Sequence, residues 1–257
     1  AMANYILIGA KQLGKEIVSV KEGQVTINID EDIMRKLWDN FYIPYINGYY
    51  SSFGKFRTDD AKIGEIIALV GSTTGAVYFP EKVTTVTGKS YDIELMVLPL
   101  PNFEGTTPYT VQQGAGMVVL QSDQEHEAAC VEFLKWFTQV EQNIQFCLES
   151  GYLPVKKTAN HAELIKKHIK SSETNIPKQL RLTLPVAMKQ LESYHLYTSK
   201  AFKNGTQVRD ILTTTLIDKA ILDRGEVLKQ TPQGKPKDDN FNQWVLDVKT
   251  SLESVIK

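Results

Sequence analysis

The apolar runs of this chain are short, and this restricts its possible folds more than any other feature. Segments 66–70 (Ile-Ile-Ala-Leu-Val) and 95–98 (Leu-Met-Val-Leu) have the length of buried strands. No run approaches the roughly 20 residues that cross a bilayer as a helix. The chain has 257 residues, enough for one large domain or two small lobes with real cores. Lys and Arg total 29 against 30 acidic residues, a formal net charge of -1. Such a balance supplies no overall basic field to hold a phosphate backbone, so nucleic acid is not the expected partner. The start, Ala1-Met2-Ala3-Asn4-Tyr5, has neither a basic n-region nor a long apolar h-region. The chain is therefore expected either to be cytoplasmic or to begin downstream of an export signal.

Local patterning predicts alternating strands and helices, then a helix-rich C-terminal half, hence an α/β class. A polar turn is expected at Lys21-Glu22-Gly23. Asp30 can N-cap a helix with an inner stripe of Ile33, Met34, Leu37, Trp38 and Phe41, ended by Pro44. An aromatic run over 42–56 follows, broken at Gly48 and Gly54, and Thr58, Asp59 and Asp60 cap a short helix. Strands are expected at 66–70, 91–100 and 114–120. Ser122 and Glu125 fit a capping box, and the helix they start carries Ala129, Phe133, Trp136 and Phe137 on one face, with Trp136, like Trp38, expected in the core. A helix over 140–150 ends at Gly151, suited to the C′ position. Beyond it lie helices at 208–223, stopped by Gly225, and at about 240–255. Cys130 and Cys147 sit in apolar helical surroundings and are expected as small buried hydrophobes, not as a disulfide.

The residues offer little chemistry. His126, His161, His168 and His195 are scattered, with no acidic or sulfur ligands completing a metal set. Gly114-Ala115-Gly116 lacks the third glycine of a dinucleotide fingerprint, and no Walker loop occurs. The hydroxyls of Gly71-Ser72-Thr73-Thr74-Gly75 lack the spacing of a nucleophile elbow and an evident histidine base. Asp59 and Asp60 would serve a glycan-acting enzyme only with a carboxylate facing them across a gap of about 5–10 Å; acids at a helix start also serve simply as dipole partners. No catalytic residue, metal or cofactor is expected, and a cytoplasmic interaction domain is a further alternative. Two polar segments remain. Gly-Ser-Thr-Thr-Gly at 71–75 and Gln112-Gln113-Gly114 present hydroxyls, amides and open backbone suited to a hydroxylated or anionic solute, although ordinary tight turns fit both equally well.

Five segments occur in an order that carries more information than any one of them: Phe56-Arg57-Thr58-Asp59-Asp60-Ala61-Lys62, Gly71-Ser72-Thr73-Thr74-Gly75-Ala76, Val111-Gln112-Gln113-Gly114-Ala115-Gly116, Glu132-Phe133-Leu134-Lys135-Trp136-Phe137-Thr138 and Ser150-Gly151-Tyr152-Leu153-Pro154-Val155. The ordered set resembles the ABC-importer solute-binding proteins that take sugars or glycerol phosphates, distantly similar to maltose-binding protein. The resemblance implies a periplasmic-binding-protein-like fold of type II, with two α/β lobes and the ligand between them, incomplete at its N-terminal side. It implies a C-terminal lobe of residues 1–98 and 160–257, and part of the N-terminal lobe at 99–159. It further implies cleft hydroxyls at Ser72 and Thr73, a ligand-facing backbone at Gly114, a cleft aromatic at Tyr152 and a phosphate-contacting arginine at Arg209. Arg209 also fits a surface arginine on an amphipathic helix. The implied partners are a small solute and ABC permease subunits, with the membrane reached only through a lipid anchor outside this chain. An incomplete cleft implies weak or no solute binding by the chain alone, and its uncovered apolar lobe surface implies some tendency to self-associate.

Overall fold

The computed structural model describes residues 2–51, 53, 56–172, 175–230 and 238–256. In chain order the elements are α1 (Met2–Gln12), β1 (Val18–Lys21), β2 (Gln24–Ile27), α2 (Glu31–Ile46), α3 (Arg57–Lys62), a 3-10 turn (Thr74–Tyr78), β3 (Lys82–Thr84), β4 (Ser90–Asp92) and β5 (Tyr109–Val111). They continue with α4 (Gln124–Phe137), α5 (Val140–Ser150), a 3-10 turn (Lys157–Ala159), α6 (Ala162–Ser171), α7 (Lys178–Ser193), β6 (His195–Tyr197), α8 (Gly205–Gln230) and α9 (Asp238–Val255). Gly54, expected to break the aromatic run, lies outside the described residues.

Two compact units divide the chain. The first comprises Ala1–Ser52, Pro101–Val111 and His195–Lys257. Its core is helical, built from α1, α2, α8 and α9 around Met34, Leu37, Trp38, Leu212, Leu216 and Trp244. The stripe expected of α2 is present: Ile33, Met34, Leu37 and Trp38 are buried, and Phe41 packs partly buried against them. Asp30 caps that helix, Oδ1 accepting from the Ile33 N–H at 3.2 Å, which satisfies one of the donors a helix start leaves open. Pro44 does not end α2, which continues to Ile46. Without an N–H, proline in the last turn forfeits a single backbone bond, and packing of Tyr45 and Ile46 into the core offsets it. Strands β1 and β2 form a hairpin whose turn puts Glu22 and Gly23 at positive φ, 50° and 78°, as a tight two-residue turn requires. Strands β5 and β6 pair in parallel, Tyr109 opposite His195.

The second unit comprises Phe53–Leu100 and Gln112–Tyr194. Helices α5, α6 and α7 bury Ile144, Leu148, Ile165, Leu180, Leu184 and Met188 in one cluster, and β3 and β4 form a small antiparallel hairpin. Several sequence expectations fail in this unit. None of the strands expected at 66–70, 91–100 and 114–120 forms as such; only Ser90–Asp92 enters a strand. Ile67 is 96% exposed, so the first of these segments is not a buried strand. Helix α4 buries no residue, and Trp136 is 48% exposed rather than core. Cys130 on the same helix is likewise exposed, whereas Cys147 on α5 is buried.

The cap of α4 also differs from expectation. Asp123, not Ser122, is the N-cap: its Oδ1 accepts from the N–H groups of Glu125 and His126 at 3.1 and 3.0 Å. Ser122 instead donates its own N–H to Glu127 Oε1 at 2.8 Å. A carboxylate accepts more strongly than a hydroxyl and suits the positive end of the helix dipole. Helix α3 starts after Phe56 with no side-chain cap from Thr58. Helix α8 runs through Gly225 to Gln230 instead of stopping there.

Candidate ligand-binding site

Three of the five candidate residues share one corner of the second unit. Helix α5 ends at Gly151, which takes the left-handed conformation at φ 77°, where glycine carries no Cβ penalty. This glycine packs tightly: a Cβ there would lie 2.8 Å from the Thr73 carbonyl oxygen, 3.0 Å from Thr74 Cα and 2.9 Å from Leu180 Cδ2. The close approach sets the segment that begins with Tyr152 beside the Ser72–Thr73 turn. A larger residue at 151 would push the two apart.

The hydroxyl side of this corner is a capped turn. Ser72 Oγ accepts from the Gly75 N–H at 3.0 Å and lies 3.0 Å from Thr74 Oγ1. Ser72 itself is exposed. The turn is tied to the unit's core by α7, whose Gln179 Nε2 donates to the Phe79 carbonyl at 2.8 Å.

On the aromatic side, Tyr152 is exposed and its ring stacks on Phe146, centroids 5.9 Å apart and 22° from parallel. The following residues are held by two asparagines. Asn143 Oδ1 accepts from the Val155 N–H at 2.8 Å, and Asn160 Nδ2 donates to the carbonyls of Pro154 at 2.7 Å and Lys156 at 3.0 Å. Phe146, Asn143 and Asn160 were absent from the sequence expectations. Phe146 and Asn143 lie on the helix that ends at Gly151, so the position of its C-terminus was the one signal pointing to them.

Gly114 and Arg209 do not join this corner on any observed contact. Gly114 is exposed, and a Cβ on it would meet nothing within 4 Å; no packing in the protein demands a glycine there. Arg209 belongs to the first unit, on α8, half-buried, where its Nη2 donates to Asn4 Oδ1 at 2.5 Å.

The acidic pair is occupied structurally. Asp59 Oδ1 meets Lys62 Nζ at 3.0 Å. Asp60 is buried, accepts from the Phe53 N–H at 3.2 Å and lies 3.5 Å from Arg57 Nε. These contacts fasten α3 and the segment before it. Two of the histidines are equally local: His126 Nδ1 lies 2.6 Å from Asp123 Oδ2, and His168 Nδ1 lies 2.9 Å from the Leu164 carbonyl. His161 Nδ1 lies 4.0 Å from Glu192 Oε1, and His195 pairs with Tyr109. Among the described residues no group of three or more His, Cys, Asp or Glu is placed to hold a metal ion, and no helix is long and apolar enough to cross a membrane.

Comparison with known proteins adds one finding. The family model for bacterial extracellular solute-binding proteins matches residues 1–172. No curated protein and no solved structure matches the chain.

Proposed function

Because the chain belongs to the bacterial extracellular solute-binding proteins of ABC transport, we propose that its solute is a carbohydrate or a glycerol phosphate. The solute is captured in a cleft between two α/β lobes of the type II arrangement, 1–98 with 160–257 on one side and 99–159 on the other, and delivered to permease subunits. The observation that supports this choice is the packing of Gly151 on Thr73 and Thr74. That packing puts the segment opening with the exposed Tyr152 beside the turn that holds Ser72 and Thr73. Aromatic faces stack on the apolar faces of sugars, and hydroxyls bond their rims. Gly114 adds backbone open to close approach. Arg209 supplies a guanidinium suited to a phosphate or to paired sugar hydroxyls.

Thermal shift tests the reading, since a ligand that binds the folded state raises its melting temperature. Sugars, oligosaccharides and glycerol phosphates are each added at millimolar concentration. One class is expected to raise the melting temperature, and Tyr152→Ala to abolish that rise while leaving the melting temperature of the free protein unchanged. A rise with an unrelated solute class such as amino acids, and with none of these compounds, would reject the solute class.

A further inference from the structure

The basic residues of this chain are not spread evenly. Across 161–189, five lysines and one arginine stand against two acids, in a chain whose whole formal charge is -1. This stretch builds α6 and most of α7, two neighbouring helices of the second unit. Their inner faces are committed to the core: Ala162 and Ile165 of α6 cluster with Leu180, Leu184 and Met188 of α7. On α6, Lys166, Lys167 and Lys170 follow Glu163 by three, four and seven residues, which places all four on one side of the helix, away from the buried pair. On α7, Lys178, Arg181 and Lys189 fall at i, i+3 and i+11, again on one side.

Glu163 shows that the two basic faces meet. Lys166 Nζ donates to its Oε1 at 2.7 Å. That bond first, and then the charges of Lys189 from α7 and of Lys170, hold the Glu163 carboxyl below the usual carboxylate range. Three cations from two helices thus converge on one acid. Glu192, the next acid along α7, lies 4.0 Å from His161 Nδ1. Among the described residues, Lys167, Lys170, Lys178, Arg181 and Lys189 form no ion pair, so the positive charge of this face is largely uncompensated.

The composition of the patch suits a diffuse anionic surface better than a single phosphate. Lysine is a compact, hydrated point charge with little geometric demand, whereas stereospecific phosphate recognition favours the arginine fork. The one arginine already donates from Nε to the Ile176 carbonyl at 2.9 Å. Clusters of about four to eight Lys and Arg on an amphipathic helix are what anionic headgroups attract. The apolar side of α6 is used in the core, so the attraction is electrostatic, without insertion. An extracellular protein of ABC transport has such a surface at hand. We propose that the outer faces of α6 and α7 rest on an anionic lipid bilayer, with Lys167, Lys170 and Lys189 against the headgroups. The contact is independent of the solute reading above.

Co-sedimentation with vesicles at low salt is the test. The chain is expected to pellet with vesicles of equal phosphatidylcholine and phosphatidylglycerol, and not with phosphatidylcholine alone. Sodium chloride at about 1 M, where charges are screened beyond about 3 Å, is expected to release it. The triple variant Lys167→Glu, Lys170→Glu, Lys189→Glu is expected to bind at least about tenfold more weakly. The triple variant Lys21→Glu, Lys36→Glu, Lys249→Glu has the same net charge, changed at exposed residues of the first unit, and is expected to lose far less. Equal loss in the two variants overturns the proposal, since net charge alone would then account for binding. Equal pelleting with both kinds of vesicle overturns it too. A chain that pellets with neither also overturns it, and leaves the patch to an acidic protein surface. Should charge reversal alter the far-UV circular dichroism spectrum, Lys167→Gln, Lys170→Gln, Lys189→Gln takes its place, and an affinity unchanged from wild type overturns the proposal.

Discussion

The Tyr42 hydroxyl donates to Asp223 Oδ2 at 2.5 Å, joining α2 to α8 across 181 residues of sequence. Both groups are buried. Lys219 Nζ donates to the other carboxylate oxygen at 2.9 Å, and Asn240 Nδ2 from α9 donates to the tyrosine oxygen at 3.1 Å. Three helices of the first unit thus converge on one satisfied polar network, and a buried network is costly to break from one side. Tyr42→Phe is expected to cost about 1–2 kcal/mol. Asp223→Ala, which strands the Lys219 ammonium, should cost more, on the order of 3 kcal/mol. Urea midpoints compared at constant slope measure both; equal losses would mean the lysine finds water instead.

The same tyrosine makes the fold sensitive to alkali. Burial, and then the bond to Asp223, push the Tyr42 hydroxyl well above the usual tyrosine range. Burial does the same for Tyr5, which donates to the Leu37 carbonyl at 2.6 Å. Both groups hold their protons more tightly folded than unfolded. The stability this contributes is complete below the ordinary pKa of about 10 and is lost as pH rises above it. Stability measured by urea is therefore expected to fall above about pH 10, and to fall less steeply in Tyr42→Phe. Identical slopes for the two proteins would show that Tyr42 ionises as freely folded as unfolded.

The cysteines separate by environment. Burial pushes the Cys147 thiol up to about 12, whereas Cys130 faces solvent on α4. Since the thiolate is the nucleophile, a thiol reagent at about pH 8 should label a single cysteine in the native protein and both in denaturant. Cys130→Ser should remove the native reaction. Fast labelling of both would mean that α5 opens readily.

Helices were the legible part of this sequence because their signals are local. The Asp30 cap, the stripe from Ile33 to Trp38 and the stop at Gly151 all depend on neighbours a turn away, and the structure has each of them. Strands are different, since a strand exists only by virtue of its partner. Apolar β-branched composition marks 66–70 and 114–120 as strand-like, yet nothing in those residues says whether another strand lies alongside. The same limit explains Trp136: helical spacing identifies a coherent apolar face on α4 but not what covers it. In the candidate site, the Gly-Tyr-Leu-Pro and Gly-Ser-Thr-Thr-Gly segments were visible from the sequence. Their proximity was not, because it rests on the missing Cβ of Gly151 against Thr73 and Thr74.

Gly225 tests how far glycine is needed where a stop was expected. It lies inside α8, and a Cβ there would meet nothing within 4 Å. Glycine in a helix interior costs conformational entropy that alanine does not. Gly225→Ala is expected to raise stability by roughly 0.5–1 kcal/mol, read as a higher urea midpoint. A loss of stability would mean that the helix is interrupted at that point in solution.

Gly151→Ala should act in the opposite direction. At φ 77° a Cβ is strained whatever the surrounding space, and here it would also press on two backbone atoms of residues 73 and 74 and on Leu180. The turn is held to α7 through Gln179, so it cannot simply retreat. A loss on the order of 2–3 kcal/mol is expected. Because the substitution drives the Thr73 turn and the Tyr152 segment apart, it should also weaken any solute that touches both. Gly114→Ala meets no protein atom and should leave stability unchanged, so any solute affinity it removes reports contact with the ligand itself. Equal stability losses at 151 and 114 would show that the close packing at Gly151 does not exist in solution.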